Sequence, residues 1–104
     1  MAVIERRVFY AKPGKAGEVV QFSRDMGTLL QRFDLDFGTR ILTDYMSGRT
    51  DRVVVETEFE SMTEFEAAYG KVMSDEATVK EFQAIEARML PLIDRAEVEH
   101  WTIV

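Results

Sequence analysis

Arg52-Val53-Val54-Val55-Glu56-Thr57-Glu58-Phe59-Glu60-Ser61-Met62-Thr63-Glu64 reads as a strand running straight into a helix. The β-branched run Val53-Val54-Val55 and Phe59 favour a pleated strand over 52–60. Ser61-Met62-Thr63-Glu64 is a capping-box pattern, in which a hydroxyl accepts from a backbone N–H three residues on and a carboxylate reaches back. Working backwards, Ser47-Gly48-Arg49-Thr50-Asp51 is a polar turn, and Thr39 to Met46 is the strand that pairs with 52–60 as a hairpin. Asp34-Leu35-Asp36-Phe37-Gly38 ends a helix over Ala16 to Phe33, whose apolar residues Val19, Phe22, Met26, Leu29, Leu30 and Phe33 recur at helical steps. Before it, Val3 to Lys12 is a strand that stops at Lys12-Pro13-Gly14-Lys15. Forwards from Ser61, a second helix is interrupted by the fresh cap Ser74-Asp75-Glu76, resumes, and gives way after Pro91 to a last strand, Ala96 to Val104.

The order βαββαβ predicts a ferredoxin-like α+β fold: a four-stranded antiparallel sheet, strand one central beside strand three, both helices on one face. No linker, repeat or low-complexity tract divides residues 1–104, which are expected to form one domain. If strands one and three pair near their midpoints, Ile4, Val8, Tyr10, Val53, Val55 and Phe59 share the helix-facing side. The other face then carries Val3, Glu5, Arg7, Phe9, Val54, Glu56 and Glu58, with Ile41, Thr43 and Tyr45 from strand two. That face is too apolar to meet water, and the simplest cover is the same face of a second copy, so that two sheets close into a barrel.

Composition narrows the function. The 104 residues include 13 basic and 19 acidic side chains, a formal charge of −6, which argues against nucleic acid and anionic membrane surfaces as partners. Cysteine is absent, so there is neither a thiolate nucleophile nor a sulfur-ligated metal, and a reducing, cytoplasmic setting is expected. The charged start Glu5-Arg6-Arg7 does not suit a signal peptide, and no run approaches the roughly 20 apolar residues of a membrane span.

The run Glu5-Arg6-Arg7-Val8-Phe9-Tyr10-Ala11-Lys12-Pro13-Gly14-Lys15 resembles the opening of NIPSNAP-type proteins in the dimeric α/β-barrel superfamily. Val53-Val54-Val55-Glu56-Thr57-Glu58-Phe59-Glu60-Ser61 looks like that family's third strand and helix cap, and Met73-Ser74-Asp75-Glu76 through Phe82 like its broken second helix. The resemblance covers nearly the full chain and implies a homodimeric barrel more than any activity.

For chemistry, the sequence offers Arg7 with Glu56 opposite and Glu5 and Glu58 near, a cluster able to hold a proton-transfer base or an anionic ligand. The competing and favoured reading is a structural ion-pair network where the sheets meet. Phe9, Thr43 and Tyr45 could line the same cavity, though a tyrosine on a strand is more often packing. His100 is the only histidine; it would be the natural general base, but without histidine or cysteine partners it does not suggest a metal. His100 and Trp101 point to opposite faces, so one of them, not both, can enter the cavity.

The reading that results is a homodimeric protein binding a small molecule in or beside the barrel cavity, with no cofactor or metal implied. The alternatives are a cofactor-free acid/base enzyme of isomerase type built on Arg7, Glu56 and His100, a purely structural dimer, and a monooxygenase. The resemblance disfavours the last, because superfamily members of that kind look to asparagine and this chain has none.

Overall fold

The computed structural model describes residues 2–33, 39–44 and 50–104. The elements are β1 (Val3–Ala11), α1 (Ala16–Gln31), β2 (Arg40–Thr43), β3 (Arg52–Phe59), α2 (Met62–Met73), α3 (Glu76–Met89) and β4 (Ile93–Thr102), with one 3-10 turn at Leu90–Leu92. The strands form one antiparallel sheet in the order β2-β3-β1-β4. This is the expected ferredoxin-like α+β arrangement. The turn read at 47–49, the helix end read at 34–38 and the residues Tyr45 and Met46 lie outside the described residues.

Local chemistry sets the element ends. After β1, Lys15 N–H donates to the Lys12 carbonyl at 2.9 Å across Pro13-Gly14, and Gly14 has φ +77°, where a side chain would be strained. At the start of α2, Ser61 Oγ accepts from Glu64 N–H at 3.1 Å. Glu64 Oε2 in turn accepts from the N–H of Glu60, one residue before the cap, at 2.6 Å. The second helical segment breaks at Ser74-Asp75 as its sequence predicts. β4 begins at Ile93, three residues earlier than Ala96, because Lys12 N–H bonds the Leu92 carbonyl and Ala11 takes Ile93 as its cross-strand partner.

One core joins sheet and helices: Phe9, Ala11, Val53, Val19, Phe22 and Met89. Phe9 meets Phe22 edge-on at 5.9 Å. Phe9 and Ala11 thus face the helices, and with them Val3, Glu5 and Arg7. The register pairs Phe9 with Val53 and Val8 with Val54, a slip of one residue from the expected pairing that turns β1 over completely. Ile4, Val8 and Tyr10 lie on the helix-free face, beside Val54, Glu56 and Glu58. Ile41 and Thr43, opposite Val55 and Val53, lie on the helix side instead of the open one. The described residues form a flat slab of 37 × 37 × 18 Å, with their three α-helices on one face of the sheet.

Candidate small-molecule site

A cavity of about 230 Å³ opens between the helices and the sheet, not on the open face where the sequence places it. Its floor is β1 and β3, through Glu5, Arg7, Phe9, Val55, Thr57 and Phe59; its walls come from the three helices. Two small residues of α1 leave the space. Gly27 has no atom within 4 Å of where a Cβ would stand, and Ser23 turns its hydroxyl back to the Val19 carbonyl at 3.0 Å. Met26, Val72, Phe82 and Met89 make the walls apolar.

Aromatic rings gather at one end. Phe65 of α2 meets Phe59 edge-on at 5.0 Å, stacks on Tyr69 at 6.2 Å, and meets the His100 ring edge-on at 5.7 Å. Below them lies the polar part of the floor. Arg7 Nε donates to Glu5 Oε1 at 2.6 Å, and His100 Nε2 lies 3.4 Å from Glu5 Oε2. Glu5 is buried, at 8% exposure, while the Arg7 side chain is 48% exposed. The two terminal amino groups of Arg7 have no partner among the described residues and are available to an anion. Across the floor, the hydroxyls of Thr57 and Thr39 pair at 3.2 Å.

The structure therefore separates Arg7 from Glu56. Arg7, Glu5, Phe9 and His100 stand on the helix side, whereas Glu56 lies on the open face. There Glu56 is gripped by Arg6, with Nη2 2.6 Å from Oε2, and by Arg40, with Nη2 2.7 Å from Oε1. Hydrogen bonds from Arg6 and then Arg40 hold its carboxyl below the usual glutamate range, against the opposing effect of burial. Trp101 also lies on the open face, 55% exposed, its indole donating to Glu99 at 3.2 Å. Thr43 is on the helix side but outside the cavity lining, and Tyr45 lies outside the described residues. Sequence reasoning misses Phe65 and Tyr69; their signal is the i, i+4 pair of aromatics directly after the capping box, with Tyr69 left 54% exposed. Among the described residues no group of three or more histidine or acidic side chains could hold a metal ion, and no helix is long and apolar enough to cross a membrane.

The fold and the helix-side cavity define the class: a ferredoxin-like α+β domain with one face of its sheet left open. Solved structures of that fold include a NIPSNAP family protein from Agrobacterium tumefaciens str. C58, 20% identical, TM-score 0.73, covering 99% of this chain and 86% of that one. An uncharacterized NIPSNAP domain protein from Burkholderia xenovorans is 19% identical with TM-score 0.72, over 98% and 94% of the two chains. SnoaB from Streptomyces nogalater, a cofactor-independent oxygenase solved in a mutant form, is 12% identical with TM-score 0.59, over 98% and 92%. At these identities the likeness establishes the fold. No protein-family model and no curated protein sequence matches the chain.

Proposed function

We propose that this protein is a NIPSNAP-like homodimer that binds a small, largely aromatic carboxylate in the cavity between its helices and its sheet. The carrying observation is the cavity's polarity: apolar and aromatic walls, with the Arg7 guanidinium fixed by Glu5 at the floor and its outer nitrogens open. A cavity of about 230 Å³ lies below the roughly 300–1,000 Å³ of drug-sized sites, which suits a ligand of one or two rings. Dimerisation through the open sheet face is part of the same reading, supported by Leu42 and Trp101 exposed there. So is a cytoplasmic setting, which the cysteine-free chain suits.

Calorimetry with naphthalene-2-carboxylate and its neutral carboxamide tests the ligand class. The carboxylate is expected to bind saturably and at least about tenfold tighter than the amide, the worth of one charge-assisted hydrogen bond pair, and Arg7→Met should erase that preference. Equal affinity for both, or a preference that survives Arg7→Met, would overturn the reading. A second reading, a cofactor-free acid/base enzyme, is favoured by one observation, the Glu5–His100 approach beside the cavity. On that reading Glu5→Gln would abolish turnover of a bound substrate while leaving its affinity.

A further inference from the structure

The helix-side cavity has a carboxylate in its wall as well as a guanidinium in its floor. Glu86 of α3 lines the space together with Phe82 and Met89 of the same helix. Among the described residues its carboxylate has no hydrogen-bond or ion-pair partner, whereas the charges around it are spent: Asp25 holds Arg88, and Arg32 holds Glu81. Those two ion pairs join α1 to α3 in antiparallel register. Two residues inward from Asp25 and from Arg88, Gly27 comes level with Glu86, so an absent side chain on one helix lies beside an unspent acid on the other.

Helix stability does not explain the acid. Glu86 stands in the last turn of α3, where the helix dipole disfavours negative charge. The residues three and four positions away, Phe82, Gln83, Met89 and Leu90, offer it no cation.

We propose that Glu86 is a specificity-determining residue of this cavity, accepting a hydrogen bond from a hydroxyl or amino group on the part of the ligand remote from its carboxylate. The inference rests on the aromatic-carboxylate reading above and narrows the ligand class to hydroxy- or amino-substituted aryl carboxylates. Arg7, in the sheet layer, has only donors to give, and Glu86, in the helix layer, only acceptors. An aryl acid therefore enters with its carboxylate toward Arg7, since the reverse orientation would set two carboxylates against each other. A donor at its outer end then meets Glu86, and the space at Gly27 leaves room for it. Because Glu86 is exposed, the bond should add about five- to tenfold in affinity, less than a fully buried charged bond would.

Calorimetry on the full chain tests the assignment, with naphthalene-2-carboxylate, its derivatives carrying a hydroxyl or an amino group at each position of the remote ring, and the matching methoxy ethers. At least one hydroxy or amino derivative should bind the parent about fivefold or more tighter than the unsubstituted acid, while its methoxy counterpart, which has no proton to donate, should gain nothing. The hydroxy and amino series together show which donor the wall takes. In Glu86→Ala the affinity ratio between that derivative and the unsubstituted acid should fall to within about twofold of one. Glu86→Gln, which keeps the shape and a neutral acceptor, should lie between the two, and saturable binding of the unsubstituted acid by either variant shows that it is folded. No gain from any derivative, an equal gain from the methoxy ethers, or a gain that survives Glu86→Ala would overturn the role of Glu86 and leave the Arg7 reading standing. A parent chain that binds none of these acids would overturn both.

Discussion

Glu5 and Glu56 are the two carboxylates that the described residues bury, one on each face of the sheet, and their partners decide what each is for. Glu56 has both oxygens taken by arginines, which leaves it nothing to offer a ligand. Glu5 shares its charge between Arg7 and His100 at the edge of a cavity. Because arginine bonds lower the folded pKa of Glu56 below its ordinary 4.5, its stabilising contribution is complete above that value. It declines as pH drops below 4.5 and is gone once pH has passed through the lowered folded value. Glu56→Gln should therefore cost about 1 kcal/mol at neutral pH, modest because both arginines are partly exposed, and the gap to the parent should close in strong acid. Urea denaturation at neutral pH and near pH 3 measures it; an undiminished gap in acid would remove titration as the cause. Asp25, also lowered by its Arg88 bond, is present in both proteins and cancels. Sequence alone marks Arg7, Glu5 and Glu56 as charges inside strands, but it joins Arg7 to Glu56. The neighbour of Arg7 is Glu5, two residues away on the same face, a pairing that alternation always permits.

At the scale of elements, the boundaries are legible wherever a local hydrogen bond sets them. Ser61 with Glu64, Pro13-Gly14 and the Ser74-Asp75 break all fall where the sequence puts them. Ser61→Ala should accordingly cost about 1 kcal/mol by removing the acceptor for Glu64 N–H, and an unchanged urea midpoint would show that the cap is not used. The face of β1 is not legible, for a physical reason. Its even positions hold three apolar side chains and only one charge, Arg6, whereas its odd positions hold Glu5 and Arg7; alternation alone turns the even set inward. The odd set faces the helices because Phe9 and Ala11 fill the core, and the two charges sit where the cavity opens. The pattern rule fails at the candidate site, which is where a functional requirement is expected to break it. Gly27 tells the same story in α1. With open space at its missing Cβ, Gly27→Ala should stabilise the helix by about 0.5–1 kcal/mol while narrowing the cavity it lines. A variant that is more stable yet binds naphthalene-2-carboxylate more weakly would mark the glycine as kept for space.

At the scale of the molecule, the described residues form a slab 18 Å thick whose helices cover one side of the sheet, and the proposed dimer would cover apolar residues of the other side. Val8 is screened within its own chain at 8% exposure, but Leu42 is 42% exposed and Trp101 55%, so the chain alone leaves this face unfinished. If a second copy finishes it, unfolding and dissociation are one equilibrium, and the melting temperature must rise with protein concentration. Val54 is the residue on which to test this, since it lies at the centre of the open face, opposite Val8 on the neighbouring strand. Under a second copy packed on this face, Val54→Asp would bury a carboxylate, a cost of about several kcal/mol to the dimer. Within the single chain Val54 is only half-buried, so the fold itself should survive the change. The parent is expected to melt higher as its concentration is raised a hundredfold, whereas Val54→Asp should melt lower and at one temperature throughout. A parent whose melting temperature does not move over that range would mean that the open face is stable against water in the single chain.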